Sequence, residues 1–302
     1  MEAFKSLLSV EEHFDKVVFV VVRGVDRFSV EKTFDCGQCF RFERVEGSRF
    51  DAEYGGVAFG KYISVAQKGD SVYIFNVSER EYYERYRAFL GFDCDYLAIE
   101  QDILARSENI ALRDAIEYGR GIRILHQDPW EALCSFIISQ NNNIPRIKKI
   151  IGALCELCGE EIDASDMVEH GAKKVEYAFP SPKSLVALGI EGIGMTRCGF
   201  RAKYIFDAAK RACEGEIDAS AFESTADAAA HLMCVKGVGP KVAACTLLFG
   251  YARLDAFPVD VWIKRVIEKY FNVGFSPEDL GEYAGVAQQF LFYYERYLGG
   301  EK

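Results

Sequence analysis

Hydrophobic and polar positions alternate differently in the two parts of this chain. In residues 1–110, short β-branched or aromatic runs are separated by turns that contain glycine. These runs occupy residues 17–22, 41–46, 62–67 and 72–77. Such runs are typical of β-strands, and a capping box at residues 78–81 then opens an amphipathic helix. Strands followed by helices predict an N-terminal α+β domain whose antiparallel sheet is segregated from its helices.

Residues 111–302 have a helical pattern. Asp128, Pro129 and Glu131 provide an N-cap, a first-turn proline and an acidic third residue, and the helix they open is apolar nearly all round. A helix of this kind belongs at the centre of a hydrophobic core. A last helix is expected at residues 282–298. The fold class predicted is therefore α+β, with an all-α domain following the sheet domain.

The stretch 227–269 predicts a helix, a tight hairpin, a second helix, a short extended link and a third helix. Thr225 is the expected N-cap of the first helix, and Pro240 suits the first turn of the second. Between them, Gly237 and Gly239 break the helical periodicity.

These two glycines indicate an anion site. Gly237 and Gly239 permit a positive φ and place no side chain in the way, so backbone N–H groups at the helix start can face a phosphate. We expect the phosphate contacts at Gly237, Gly239 and Val242.

Three residues around the hairpin add candidate chemistry. Lys241 lies in the first turn of the second helix, Cys245 follows four residues later on the same face, and Asp260 stands where the third helix begins. An amine near a carboxylate, beside a phosphate-sized backbone nest, suits imine-forming attack on a sugar carbon. Each residue alone also has an ordinary interpretation. Lys241 could contact phosphate or solvent, Asp260 could be an N-cap, and Cys245 could be a small core residue.

Residues 237–243 followed by 258–260 resemble the helix-hairpin-helix and Gly/Pro-Asp signature of DNA base-excision glycosylases. A lysine after the hairpin marks the bifunctional branch of these enzymes, and the sequence is most similar to 8-oxoguanine DNA glycosylases. Five separated motifs in family order carry the resemblance over nearly the whole chain. It implies that the second domain is a helical helix-hairpin-helix glycosylase domain.

The resemblance implies a base-binding set made of Gly37, Cys245, Pro258, Gln288 and Phe292. The carbonyl of Gly37 would face N7 of the base, which carries a hydrogen in 8-oxoguanine and only an acceptor in guanine. Phe292 and Cys245 would sandwich the base, while Gln288 pairs with its edge. Without the resemblance, a turn at Gly37 and core packing of Phe292 are the favoured interpretations.

A second implied set faces the opposite strand. Asn141 would fill the hole left by the extruded base, and Arg146 would contact the opposite cytosine. Phe200, where a relative has tyrosine, would wedge beside that base, and Arg201 would offer planar donors to it. A loop or cap and a phosphate contact are the alternatives for these positions. Trp262 stands where some relatives have a phosphate-contacting histidine, and its indole can donate one hydrogen bond but carries no charge.

The net charge of −10 and the pI near 5.1 argue against a general polyanion binder. A DNA site must therefore be a local basic patch, although a charge run is usually only a solvated face. The candidate basic residues near turns or helix ends are Arg146, Lys148, Lys149, Arg197, Arg201, Lys203, Lys264 and Arg265.

Ten cysteines without a secretory leader indicate a reducing compartment, and the apolar run 17–22 is too short to span a membrane. We expect a cytoplasmic, DNA-associated protein of a prokaryote in preference to a nuclear one. The Cys-x-x-Cys pairs at 36–39 and 155–158 are too far apart for a zinc ribbon, and no cysteine follows Cys245 to build an iron–sulfur loop. We expect no metal or other cofactor, and leave open a monovalent or divalent cation at the hairpin backbone.

The sequence thus predicts a monomeric bifunctional DNA glycosylase and β-lyase whose partner is double-stranded DNA containing 8-oxoguanine, opposite cytosine. Lys241 would attack C1′ of the sugar, and Asp260 would stabilise the developing positive charge. Two other classes are left open. A monofunctional glycosylase for alkylated bases or mispaired adenine needs Asp260 but not Lys241, and a non-catalytic DNA-binding module needs only the hairpin.

Overall fold

A six-stranded antiparallel sheet forms the N-terminal part of the structure, a computed structural model that describes residues 8–9 and 17–298. The strand order is β1-β2-β6-β5-β4-β3. The strands are β1 (Leu8–Ser9), β2 (Phe19–Val22), β3 (Phe42–Arg44), β4 (Ala52–Ala58), β5 (Lys61–Lys68) and β6 (Ser71–Phe75). The predicted α+β class of this part is confirmed.

Both faces of the sheet are buried. Side chains alternate along a strand, so Ile63 and Val65 of β5 pack on one face while Tyr62 and Ala66 pack on the other. The first face is covered by helix α1 (Val30–Asp35) and by a helical segment at residues 79–89. That segment consists of α2 (Glu79–Glu81), a π-helical turn (Tyr82–Tyr86) and α3 (Arg87–Phe89).

The predicted capping box at the start of this segment is confirmed. The hydroxyl oxygen of Ser78 accepts a hydrogen bond from the backbone N–H of Glu81, and the Glu81 carboxylate accepts from the backbone N–H of Ser78. Each group satisfies a backbone donor that the helix itself leaves unpaired.

Strand β4 was not predicted because two glycines lie in its middle. A Cβ atom on Gly55 would lie 2.2 Å from the hydroxyl oxygen of Tyr62, and one on Gly56 would lie 2.3 Å from the carbonyl oxygen of Arg41. The glycines are therefore required by close packing within the sheet, where the sequence pattern suggested a turn.

Helices dominate the chain after the sheet. They are α4 (Tyr96–Arg106), α5 (Ile110–Gly119), α6 (Pro129–Ser139), α7 (Ile144–Cys158), α8 (Pro182–Met195), α9 (Ala202–Cys213), α10 (Thr225–Leu232), α11 (Pro240–Gly250), α12 (Val261–Tyr270) and α13 (Ala284–Leu298). Helix α6 lies at the centre of the core, as expected, with residues 132–138 all buried. It packs against α11, and the rings of Phe136 and Phe249 stack with centroids 5.3 Å apart. No helix in the described ranges is long and apolar enough to cross a membrane.

A two-stranded sheet interrupts the helical part. Strands β7 (Glu161–Asp163) and β8 (Val175–Tyr177) flank a 3-10 helix, Ser165–His170, which packs on the second face of the large sheet. His170 Nδ1 lies 2.6 Å from Oε1 of Glu53, a buried carboxylate of β4, and the His170 ring stacks on Phe75. Strands of three residues give too little alternation to be recognised in the sequence.

Candidate active site

The predicted hairpin lies between α10 and α11. Helix α11 begins at Pro240 as expected, but the N-cap of α10 is Ser224 and not Thr225. The Ser224 hydroxyl oxygen accepts from the backbone N–H of Asp227 at 3.0 Å, whereas the Thr225 hydroxyl donates to Asp255. Serine and threonine are similar capping residues, so composition alone did not separate the two positions.

The two hairpin glycines have different conformations. Gly237 has φ of +83°, and a Cβ there would lie 2.4 Å from the ring of Tyr204. Gly239 has φ of −103°, so it does not use the positive φ that glycine permits. A Cβ on Gly239 would meet nothing within 4 Å, which leaves the approach to the start of α11 open.

The start of α11 has backbone donors available. Gly239 is its N-cap and contributes no side-chain hydrogen bond, so the first N–H groups of the helix have no capping partner. Val242 is buried, and its backbone N–H lies in this first turn. An uncapped helix start suits an anion.

Lys241 is held by α6. Its Nζ donates to Oγ of Ser139 at 3.0 Å and lies 5.2 Å from the centroid of the Phe136 ring. Neither partner was predicted, because contacts between helices so distant in sequence leave no local signal. The amine is therefore oriented between a hydroxyl group and an aromatic face.

Asp260 is both a helix cap and a pocket residue. Its Oδ1 accepts from the backbone N–H of Ile263 at 2.8 Å, which caps α12. The same residue lines the pocket that contains Lys241. The capping interpretation and the pocket interpretation of Asp260 are thus compatible.

One pocket brings together all the residues predicted as catalytic or base-binding. It has a volume of about 340 Å³ including its open mouth. Its predicted lining residues are Gly37, Lys241, Cys245, Pro258, Asp260, Gln288 and Phe292. Phe136, Phe249 and Gln289 also line it and were not predicted.

Two side chains define the polarity of this pocket. Oε1 of Gln288 is buried and has no hydrogen-bond partner in the described structure, so it is an acceptor without a donor. Burial raises the pKa of the Cys245 thiol, against the opposing influence of Lys241, and a neutral thiol therefore lies beside the amine.

Gly37 reaches the pocket from the loop between α1 and β3. Its φ is +80°, and the position of a Cβ would be 3.5 Å from Cε1 of Phe292. The preceding carbonyl, of Cys36, accepts a hydrogen bond of 2.8 Å from Nε2 of Gln289. The loop is thereby attached to α13, the helix that also carries Gln288 and Phe292.

Arg201 makes contacts that its sequence position did not predict. Its side chain is only 3% exposed, Nε donates to the carbonyl oxygen of Gln140, and Nη2 donates to that of Asn141. We expected planar donors directed to a base, whereas in this structure they face backbone carbonyls. The contacts support Asn141 at φ of +50°, just after α6 ends.

The other residues of the second set are exposed. Phe200 is 50% exposed, with the Arg201 guanidinium carbon 4.5 Å from its ring centroid. Arg146 is exposed in the first turn of α7. Burial first, and the charge of Arg146 second, lower the pKa of Arg201. Phe200 also contacts Tyr204, the ring that packs on Gly237, so this surface adjoins the hairpin.

At the start of α12, the guanidinium carbon of Arg265 lies 5.4 Å from the ring of Trp262. The positive charge of Arg265 therefore lies beside the uncharged indole of Trp262. In the described ranges, no group of three or more His, Cys, Asp and Glu residues could hold a metal ion.

Comparisons with known proteins give consistent matches. The family model described as the 8-oxoguanine DNA glycosylase N-terminal domain matches residues 20–133, and that of the HhH-GPD superfamily of base excision DNA repair proteins matches residues 134–282. The solved structure of MBOgg1 in complex with a low-affinity DNA ligand is 41% identical, with a TM-score of 0.85 over 97% of this chain and 99% of that one.

Two further relatives are similar. The Clostridium acetobutylicum 8-oxoguanine glycosylase/lyase, solved with double-stranded DNA containing cytosine opposite 8-oxoguanine, is 35% identical, with a TM-score of 0.84 over 96% of this chain and 98% of that one. The N-glycosylase/DNA lyase of Saccharomyces cerevisiae is 34% identical over 54% of this chain, and the match spans 45% of the yeast protein.

Proposed function

The chain belongs to the 8-oxoguanine DNA glycosylase family of the helix-hairpin-helix superfamily, and on that premise we propose that it excises 8-oxoguanine from duplex DNA and cleaves the resulting abasic site. The observation that carries the proposal is the single pocket that joins an amine, a carboxylate and an unpartnered amide acceptor. These belong to Lys241, Asp260 and Gln288. A flipped base and its sugar can meet all three there.

The pocket walls suit an oxidised guanine. The Gly37 carbonyl would accept N7–H, which guanine lacks, and an acceptor left facing guanine N7 would cost about 1–3 kcal/mol. Phe292 and Cys245 would cover the two faces of the base, with Pro258 beside them. The buried Oε1 of Gln288 has no partner within the protein, and the N–H groups on the pairing edge of a guanine would supply one.

The reaction begins with Lys241 as a neutral amine. Its nitrogen lone pair forms a bond to C1′ as the bond from C1′ to the base breaks, with the electron pair leaving on the base. The new C1′-bound nitrogen loses a proton, and the departing base takes up one. The carboxylate of Asp260 stabilises the positive charge that develops on the sugar. Ring opening gives an imine, and loss of a C2′ proton then breaks the bond to the 3′ phosphate oxygen. Ser139 would orient the amine through its 3.0 Å hydrogen bond.

The DNA backbone would be held at the uncapped start of α11, by N–H groups near Gly239 and Val242 and the positive-φ turn at Gly237. A bound monovalent or divalent cation would support this turn structurally.

Asn141 would fill the gap in the helix, while Phe200 wedges beside the opposite base and Arg146 approaches cytosine. For Arg201 to reach that cytosine, it must exchange its bonds to the carbonyls of Gln140 and Asn141 for bonds to the base.

The lysine imine acts as its own electron sink, so the proposed reaction requires no cofactor. The partner is double-stranded DNA containing 8-oxoguanine. We propose that the protein acts as a monomer in the cytoplasm of a prokaryote.

Borohydride trapping tests the mechanism. Wild type and Lys241→Gln are incubated with duplexes that carry 8-oxoguanine opposite each of the four bases. A covalent adduct with wild type alone, strongest opposite cytosine, supports the imine and the roles of Arg146 and Arg201. Equal trapping opposite all four bases would support the imine mechanism and contradict the recognition of cytosine by the two arginines. If wild type excises the base but forms no adduct, the lysine mechanism is wrong and the protein is a monofunctional glycosylase.

A further inference from the structure

One stripe of helix α13 attaches the loop that contains Gly37. Gln289, Phe292 and Arg296 are spaced three and four residues apart, so they share one helix face. Gln289 Nε2 donates to the carbonyl of Cys36 at 2.8 Å, and Arg296 Nη1 donates to the carbonyl of Asp35 at 3.1 Å. The two peptide carbonyls before Gly37 are therefore both held by α13.

The same loop is anchored from its other side by Gln38, which is fully buried. Its Nε2 donates to the carbonyls of Thr33 and Arg123, each at 2.8 Å, and its Oε1 accepts from the backbone N–H of Leu125 at 2.8 Å. The side chain of Gln38 thus fixes the residue that immediately follows Gly37.

Glycine explains why such anchors are needed. Without a Cβ, Gly37 has access to a wide range of φ and ψ, so its own backbone sets the direction of its carbonyl only weakly. Its φ of +80° is maintained by the groups on either side. The two bases, guanine and 8-oxoguanine, differ at N7 by one hydrogen atom. To tell them apart, the carbonyl oxygen must be fixed to within about 0.5 Å in position and about 10–20° in direction.

We propose that Gln289 is a specificity-determining positioning residue, which fixes the direction of the Gly37 carbonyl through the Cys36 peptide. This inference rests on the proposed function, because it assigns to Gln289 the accuracy of lesion recognition at that site. Gln289 is 3% exposed, lines the pocket and acts through the loop, whereas Gln288 one position earlier has an unpartnered oxygen available to the base. Adjacent glutamines of α13 therefore have different tasks.

The test compares two substrates under single-turnover conditions. One duplex carries 8-oxoguanine, and the other carries an abasic site, which has no base for Gly37 to recognise. Gln289→Met keeps the side-chain length and removes the donor to Cys36. We expect the ratio of 8-oxoguanine excision to abasic-site cleavage to fall about three- to tenfold, as the loss of one hydrogen bond predicts.

Tyr62→Phe is the matched control. The Tyr62 hydroxyl donates to the carbonyl of His170 at 3.0 Å on the second face of the N-terminal sheet, and Tyr62 does not line the pocket. The variant likewise loses one donor to a backbone carbonyl, and we expect it to keep the wild-type ratio. Arg296→Met removes the more exposed bond to Asp35 and is expected to shift the ratio in the same direction as Gln289→Met by a smaller factor.

Four outcomes are decisive. A lower ratio in Gln289→Met, with the wild-type ratio in Tyr62→Phe, supports the positioning role. An unchanged ratio in both Gln289→Met and Arg296→Met overturns it, and so does an equal fall of both activities in Gln289→Met, which would indicate general damage. If wild type cleaves abasic DNA without excising 8-oxoguanine, the proposed substrate is wrong, and that failure is visible before any variant is compared.

Discussion

Nζ of Lys241, in the first turn of α11, lies 3.0 Å from Oγ of Ser139, in the last turn of α6. This hydrogen bond sets the direction of the amine across the pocket. We expect Ser139→Ala to slow imine formation about three- to tenfold through loss of orientation, with little change in melting temperature. Single-turnover borohydride trapping measures the rate. Thr246→Val is the control. It removes a hydroxyl from α11, the helix of Lys241, that donates only to the carbonyl of Val242 in that helix, so the adduct should form at the wild-type rate.

Asp260 offers a way to separate capping from chemistry. Asparagine is an equally good N-cap, so Asp260→Asn should retain stability while it removes the charge that stabilises the sugar cation. We expect base release to fall by about two orders of magnitude or more. Asp260→Ala should lose the same activity and, in addition, about 1 kcal/mol of unfolding free energy. Urea denaturation alongside rate measurements distinguishes the two variants, and a fully active Asp260→Asn would contradict the catalytic assignment.

The hairpin glycines should differ sharply in their tolerance of a methyl group. Gly237→Ala combines a positive φ with a clash against Tyr204, and we expect it to lose about 3 kcal/mol of stability. Gly239→Ala has an ordinary φ and open space, so it should lose only about 0.5 kcal/mol, the cost of alanine in place of glycine at an N-cap. Thermal melts of the pair check this. Equal destabilisation would show that the turn is held in another way.

Alanine substitutions of Arg146 and Arg201 should have different effects on the free energy of unfolding and on the preference for cytosine opposite the lesion. Arg201→Ala leaves the carbonyls of Gln140 and Asn141 without their charged donor, at a cost of about 3 kcal/mol. Arg146→Ala removes an exposed side chain and should change stability by less than about 0.5 kcal/mol. It should nevertheless reduce the preference for cytosine opposite the lesion. Unfolding curves and excision rates opposite the four bases measure the two effects, and a stable Arg201→Ala would refute the loop-supporting role.

Stability should decrease in acid through Glu53. Burial opposes the charge of this carboxylate, but hydrogen bonds from His170, Ser48 and Ser64 outweigh that effect and lower its pKa. The unfolded chain therefore binds the proton more readily, so the stabilisation is present above the ordinary glutamate pKa and is lost as the pH falls through the lower folded value. We expect wild-type unfolding free energy to fall below about pH 4. The decrease should be shallower in Glu53→Gln, and identical slopes would exclude Glu53 as the group responsible.

The hairpin was predictable because residues that break helical periodicity mark it in the sequence. Glycines and a proline mark the start of α11 at Pro240, and helical spacing then places Lys241 and Cys245 on one face. Asp260 was identifiable at a helix start for the same reason. The contribution of Gly37, more than two hundred residues earlier, rested on family resemblance, because no local pattern indicates which loop closes a pocket.

Side-chain partners between distant elements lay beyond prediction. In the sequence, Ser139 is an ordinary polar residue at a helix end and Gln289 one on a helix face. Only tertiary packing shows that Ser139 accepts from Lys241 and that Gln289 donates to the carbonyl of Cys36. Arg201 shows the same limit. The resemblance implied a contact with the opposite cytosine, and only the packing shows that its donors face carbonyls at the end of α6 in this structure.

The second face of the N-terminal sheet is closed by residues 161–177, which the ribosome adds long after strand β6. Until they emerge, Val21, Ala66 and Phe75 lack the cover that Ala164, Met167 and Ala172 provide, and the nascent sheet displays more apolar surface. A chain truncated before residue 161 should therefore aggregate or recruit a chaperone, even though every strand of the sheet is already present. The order of synthesis thus makes the early half of the protein dependent on the later half.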